Sequence, residues 1–217
     1  MLLCYITDRS RFAGDESARR HRLLQKITEA ARSGMDFIQL REKDLTSREL
    51  QLLAREAIRA VRENSSATTK LLINSRTDVA LAVGANGVHL RSDDIAPSDV
   101  RNIFSPQHQD ASLTISVSCH TLGEVRRAVD KADFVVYGPV FQKKTVSGSS
   151  AVGLAGLHQA CQERIPVLAL GGITLENAGR CLQVGAAGIA GIRLFQENDV
   201  REVVDALRSL PPPNVVD

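Results

Sequence analysis

The sequence contains no tryptophan, and aromatic residues make up only 4% of it, so the stacking platforms that single-stranded nucleic acid needs are scarce. Basic and acidic residues nearly cancel, leaving a net charge of +2 and no general pull towards nucleic acid. Four cysteines, Cys4, Cys119, Cys161 and Cys181, stand far apart with no CxxC pair. That excludes the usual zinc spacing, and a disulfide framework does not suit a chain of this size. The thiols read as unpaired and buried, in a reducing cytoplasm. No early stretch has the charged start, apolar run and small-residue cleavage site of a signal peptide. No apolar run approaches the roughly 20 residues that cross a bilayer. A cytoplasmic protein with neither nucleic-acid nor membrane partners is expected.

What is present is the composition of a globular enzyme: 43% apolar and 24% charged residues over 217 positions. Short apolar runs alternate with segments of helical period. LLCYIT (2–7) leads into a basic helix over 16–33, and DFIQLR (36–41) into SRELQLLAREAIRAVREN, whose apolar residues step by three and four. Ser47 is the expected helix start, with an imperfect capping box. KLLIN, GVHL, LTISVSC, DFVVYGPV, PVLALGG and AAGIAGIRL follow, each with its own helix. Eight such units, with strands lacking polar alternation, predict a parallel (β/α)8 TIM barrel. A doubly wound sheet is the alternative, but its glycine fingerprint is missing from the first turn, TDRSRF. The barrel is expected over 1–209 and a loose tail over 210–217, because PPP ends any helix. The Gly/Ser/Lys stretch at 143–153 lies inside the sixth unit and divides no domains.

In such barrels the active site gathers at the carboxyl ends of the strands. FIQLREKD (37–44) ends the second strand there, so Arg41 and Lys43 are expected to converge on an anion; a solvated turn is the plainer alternative. GGIT (171–174) runs from strand into helix, where bare backbone suits a phosphate, and Arg193 of AGIR adds a charge beside it. Close packing alone would also explain those glycines. Two anionic groups are thus expected, one near the second and third strands and one near the last two. Asp94 and Asp93 follow the fourth strand, where magnesium would bridge a pyrophosphate; acids opening a helix are the alternative. His120, at a strand end, is the best placed general acid or base. His89 reads equally as a satisfied core residue, and His21, His108 and His158 as surface.

Taken together, YITD (5–8), QLREK (39–43), IN (73–74), GVHL (87–90), SVSCHT (116–121), ADFVVYGPVF (132–141), PVLALGGIT (166–174) and GAAGIAGI (185–192) resemble the thiamin phosphate synthase and thiazole tautomerase family. The resemblance covers almost the whole chain and implies the same barrel. Its synthases couple hydroxymethylpyrimidine pyrophosphate with a thiazole phosphate, releasing pyrophosphate. It implies that Gln39, Arg41, Lys43 and Asn74 meet the pyrimidine and its pyrophosphate, and that Ser118 also meets the pyrophosphate. It implies Asp94 as a Mg2+ ligand, and Gly171, Gly172 and Ile192 at the thiazole phosphate. The partners implied are these two small substrates, with a homodimer as the only assembly considered.

Three motifs around the metal and pyrophosphate depart from the synthase pattern. Ser75 stands where a second metal-ligating aspartate is usual, Arg91 and Ser92 replace GQ, and Val146 replaces a loop lysine, leaving Lys143 or Lys144 to substitute. Arg193 replaces a serine at the thiazole phosphate. The tautomerase branch, with His120 as proton carrier and no cofactor, is the runner-up; retention of both QLREK cations favours the synthase. A non-catalytic protein binding thiamin phosphates is the alternative of another class.

Overall fold

The computed structural model describes residues 1–65, 69–104, 113–141 and 151–211. Eight parallel strands close into a barrel in chain order: β1 (Leu2–Ile6), β2 (Phe37–Leu40), β3 (Lys70–Asn74), β4 (Gly87–Leu90), β5 (Thr114–Cys119), β6 (Phe134–Tyr137), β7 (Val167–Ala169) and β8 (Gly188–Gly191). β8 pairs back onto β1 with Leu2 opposite Gly188 and Tyr5 opposite Gly191. The connecting helices are α1 (Glu16–Arg32), α2 (Ser47–Asn64), α3 (Thr77–Val83), α4 (Pro97–Phe104), α5 (Leu122–Ala128), α6 (Gly153–Cys161) and α7 (Leu175–Gln183). After β8 come two more, α8 (Arg193–Gln196) and α9 (Val200–Arg208).

The strand residues alternate between two cores. Cys4, Ile6, Leu72, Phe134, Val136, Leu168 and Ala190 fill the barrel, whereas Leu3, Tyr5, Ile38 and Leu71 meet the helices. Because both faces are buried, each strand reads as an apolar run. On α2 the same logic works at helical spacing: Leu50, Leu53, Ala54, Ala57, Ile58 and Val61 are all buried against the barrel. Each large aliphatic side chain so buried contributes about 1.5–3 kcal/mol.

Some boundaries move. The α2 cap is Thr46, not Ser47: its hydroxyl accepts from the Glu49 backbone N–H while the Glu49 carboxylate accepts from the Thr46 N–H, a complete capping box. The eighth unit carries an extra turn, so Arg193 opens α8 instead of ending a strand. All four cysteines are free thiols, three of them buried. No helix among the described residues is long and apolar enough to cross a membrane. Most of the tail expected over 210–217 lies outside the described residues.

Candidate active site

A cleft of about 670 Å³ opens at the carboxyl ends of the strands. Gln39, Arg41, Lys43, Asn74, Asp93, Ser118, His120, Gly171, Gly172, Ile192 and Arg193 all line it, although they come from six different strand ends. Asp94 does not. It lines a smaller recess of about 220 Å³ between α4 and α5, and Arg91 and Ser92 border both spaces. Lys143, Lys144 and Val146 lie outside the described residues.

The tip of β2 shows why the strand ends in charge. Beyond Leu40 the side chains still alternate, so Arg41 and Lys43 line the cleft while Glu42 turns away and is buried. Its carboxylate accepts from the Thr7 hydroxyl (2.5 Å), the Arg9 backbone N–H (3.0 Å) and the Arg9 guanidinium (3.1 Å). Burial pushes the Glu42 carboxyl above its ordinary range, and these donors pull the other way. Arg9 also holds Asp44 through two nitrogens, at 2.7 and 2.9 Å, and Glu16 at 2.7 Å. The Thr7 hydroxyl in turn accepts from the Arg41 backbone N–H at 2.9 Å. The acid between the two cations is therefore a latch that fixes the backbone carrying them. Sequence reasoning overlooked Arg9, Glu42 and Asp44; the one available signal was an acid set between two cations at a strand end.

Next to this tip, His89 is fully buried inside the barrel mouth. Its Nδ1 lies 2.8 Å from the Ser116 hydroxyl and its Nε2 2.7 Å from that of Ser118. Burial, aided by the positive charge of Arg41, lowers its pKa to about 3, so the ring is neutral and orients Ser118. His89 is thus a satisfied core histidine that also serves the cleft. The register of His89 opposite Ser116, with the S-x-S spacing of SVS, is the pattern that marks this cluster. Gln39 is 1% exposed and its Nε2 meets no acceptor among the described residues. A buried unpaired donor costs on the order of 1–3 kcal/mol, which a ligand's acceptor relieves.

His120 donates from Nδ1 to the Gly138 carbonyl at 2.6 Å, and its Nε2 meets no partner among the described residues. Across the cleft, Gly171 and Gly172 take φ of +97° and +66°, values that favour glycine. A Cβ on Gly171 would stand 2.6 Å from Pro139, and one on Gly172 would stand 2.8 Å from the Phe141 Cβ. The close-packing reading of GGIT therefore holds. The Gly171 carbonyl is tied to the Phe141 N–H, and among the described residues no acceptor meets the N–H groups of Gly171, Gly172 or Ile173. The cleft is electropositive: Arg11, Arg41, Lys43, Arg91 and Arg193 line it against Asp8 and Asp93. Among the described residues no carboxylate pairs with Arg41, Lys43 or Arg193. Among the described residues, cations without a carboxylate partner thus stand at one end of the cleft and N–H groups without an acceptor at the other.

The sequence pattern of the family described as thiamine monophosphate synthase matches residues 3–195. The chain belongs to that family. A putative thiamine-phosphate synthase of Geobacter sulfurreducens is 38% identical over 219 residues, covering 99% of this chain and 96% of the relative. The Aquifex aeolicus putative thiamine-phosphate synthase 2 is 37% identical, covering 88% of this chain and 96% of its own length. Among solved structures, a thiamine phosphate pyrophosphorylase from Pyrococcus furiosus superposes with a TM-score of 0.77 at 31% identity, covering 96% of this chain and 94% of that one. A 3-hexulose-6-phosphate synthase at 16% identity shares the fold alone (TM-score 0.68). Membership of the thiamine monophosphate synthase family thus spans the whole barrel, cleft included.

Proposed function

We propose that the protein joins hydroxymethylpyrimidine pyrophosphate to a thiazole phosphate, forming thiamin phosphate and releasing pyrophosphate. The observation that carries this reading is one cleft with Arg41 and Lys43 at one side and the N–H groups of Gly171 and Gly172 at the other, which suits two anionic ligands. In the reaction the bond from the pyrimidine methylene carbon to oxygen breaks, and its electron pair leaves with pyrophosphate. The thiazole nitrogen then supplies its lone pair to that carbon. No proton needs to move, so stabilising the departing charge is the main demand. Arg41 and Lys43 meet that charge, with Ser118, oriented by His89, and Asn74 beside them. Gln39 offers its free Nε2–H to an acceptor on the pyrimidine. The N–H groups of Gly171 and Gly172, near Ile192 and Arg193, hold the thiazole phosphate.

The donor set for magnesium is Asp94, with Asp93 beside it, plus phosphate oxygens and water, a set that the ion accepts. When bound, magnesium would neutralise the leaving pyrophosphate. In the structure Asp94 is engaged by Arg91.

The tautomerase reading rests on the free Nε2 of His120 and leaves Arg41 and Lys43 without a task. Purified protein with both substrates and magnesium is expected to release pyrophosphate and form thiamin phosphate in equal amounts. Absence of release at high enzyme concentration would remove the synthase reading. Conversion of a thiazole carboxylate phosphate tautomer, abolished by His120→Gln, would establish the other.

A further inference from the structure

Neither acid assigned to the metal is bare. The Arg91 backbone N–H donates to Asp94 Oδ2 at 2.8 Å, and the guanidinium donates to Asp94 Oδ1 through Nε and Nη2, both at 3.2 Å. The same Nε lies 3.4 Å from Asp93 Oδ1. The Asp94 side chain is 14% exposed and that of Arg91 59% exposed. The guanidinium therefore covers the acid and is itself within reach of the cleft, which it lines.

A hard divalent ion needs open access to a carboxylate oxygen and is repelled by a guanidinium lying over that oxygen. Here both oxygens carry donors, and the nearest charge is positive, so Arg91 opposes a cation by occupancy and by repulsion. Yet guanidinium pairs with phosphate through the same flat fork that it offers to carboxylate. We propose that Arg91 is an internal counter-ion that keeps Asp94 closed to divalent cations until pyrophosphate enters the cleft and draws the guanidinium onto itself. One charged pair is exchanged for another, and the freed carboxylate then completes the metal's ligands. The inference rests on the pyrophosphate reading of this cleft. Its consequence is an order of binding: metal follows pyrophosphate, and the two bind with positive coupling.

The test is Mn2+ binding by electron paramagnetic resonance on the substrate-free protein, with no turnover involved. A protein that makes no thiamin phosphate still returns an answer, so failure of the reaction and failure of this inference are distinguishable. Losing the Arg91 bonds, in Arg91→Gln or Arg91→Ala, is expected to tighten Mn2+ binding by about tenfold or more over wild type. That gain is expected to vanish in Arg91→Gln/Asp94→Asn. Saturating inorganic pyrophosphate is expected to close most of the gap between wild type and variant. A gain below tenfold, a gain that survives Asp94→Asn, or a gap that pyrophosphate leaves unchanged overturns the proposal. Arg91 is exposed, so both variants are expected to fold; circular dichroism checks this.

Discussion

Replacing Glu42 with alanine separates a latch from a mere surface charge. The side chains of Glu42 and Arg9 are 2% and 5% exposed, so their pair is buried. Breaking a buried pair typically costs about 3–5 kcal/mol, mostly through the charge left unpaired. Here Arg9 keeps Asp44 and Glu16, so its charge is not stranded. What is stranded are the Thr7 hydroxyl and the Arg9 backbone N–H, at about 1–3 kcal/mol each. The expected loss is therefore about 3 kcal/mol, which for a barrel of this size lowers Tm by about 6–12 °C. Because Thr7 also fixes the Arg41 backbone, the cations on the β2 tip lose their aim. Misplacement of this kind is expected to weaken inorganic pyrophosphate binding by about 10–100-fold. Thermal melts and calorimetric titration read the two effects separately. In Arg9→Met/Glu42→Leu, apolar packing is expected to restore much of the stability while leaving pyrophosphate binding weak. A Glu42→Ala protein that melts within about 2 °C of wild type, or one that is destabilised yet binds pyrophosphate normally, refutes the positioning argument.

Two other perturbations probe neighbouring parts of the site. His89 has a folded pKa of about 3 against an ordinary 6.5, so only the unfolded chain takes up its proton between those values. Stability is full above pH 6.5 and falls by about 1.4 kcal/mol per unit as the pH drops; His89→Gln is expected to flatten that slope in urea titrations from pH 6 to 4, and an unchanged slope contradicts the neutral buried ring. Gly172→Ala forces a side chain into positive φ against Phe141; the expected cost is about 1–3 kcal/mol, with thiazole phosphate affinity lost and pyrophosphate affinity kept. Equal losses of both ligands in that variant would show that the glycine serves only the fold.

Much of this architecture was legible because parallel barrel strands are buried on both faces. FIQL, VLA and FVVY stand out as apolar runs, and closure of the barrel then brings residues as distant as Arg41 and Gly172 to one rim. What escaped notice depended on partners remote in sequence. Glu42 is a charged letter in a charged tip, and only Arg9, 33 positions away, makes it a buried residue. Asp94 was expected on the rim as a metal ligand or a helix-start acid; it lines the neighbouring recess, engaged by Arg91, which was treated only as a departure from pattern. His89 was read as either core or site, whereas paired serines at i and i+2 on β5 make it both. α8 is four residues long, too short for any periodicity to register, so Arg193 was assigned to a strand end. Thr46 is hard to read as the cap because Ser47, also a capping residue type, follows it directly.

Two ligands bound at once, in separable subsites, is the idea on which the reading stands. Calorimetry of wild type and Arg41→Ala with inorganic pyrophosphate and with the thiazole phosphate, each alone and then together, measures it most directly. Wild type is expected to take up both simultaneously, and Arg41→Ala is expected to lose about tenfold or more in pyrophosphate affinity while the thiazole phosphate is unaffected. Mutually exclusive binding in wild type, or equal losses for both ligands in the variant, would contradict it.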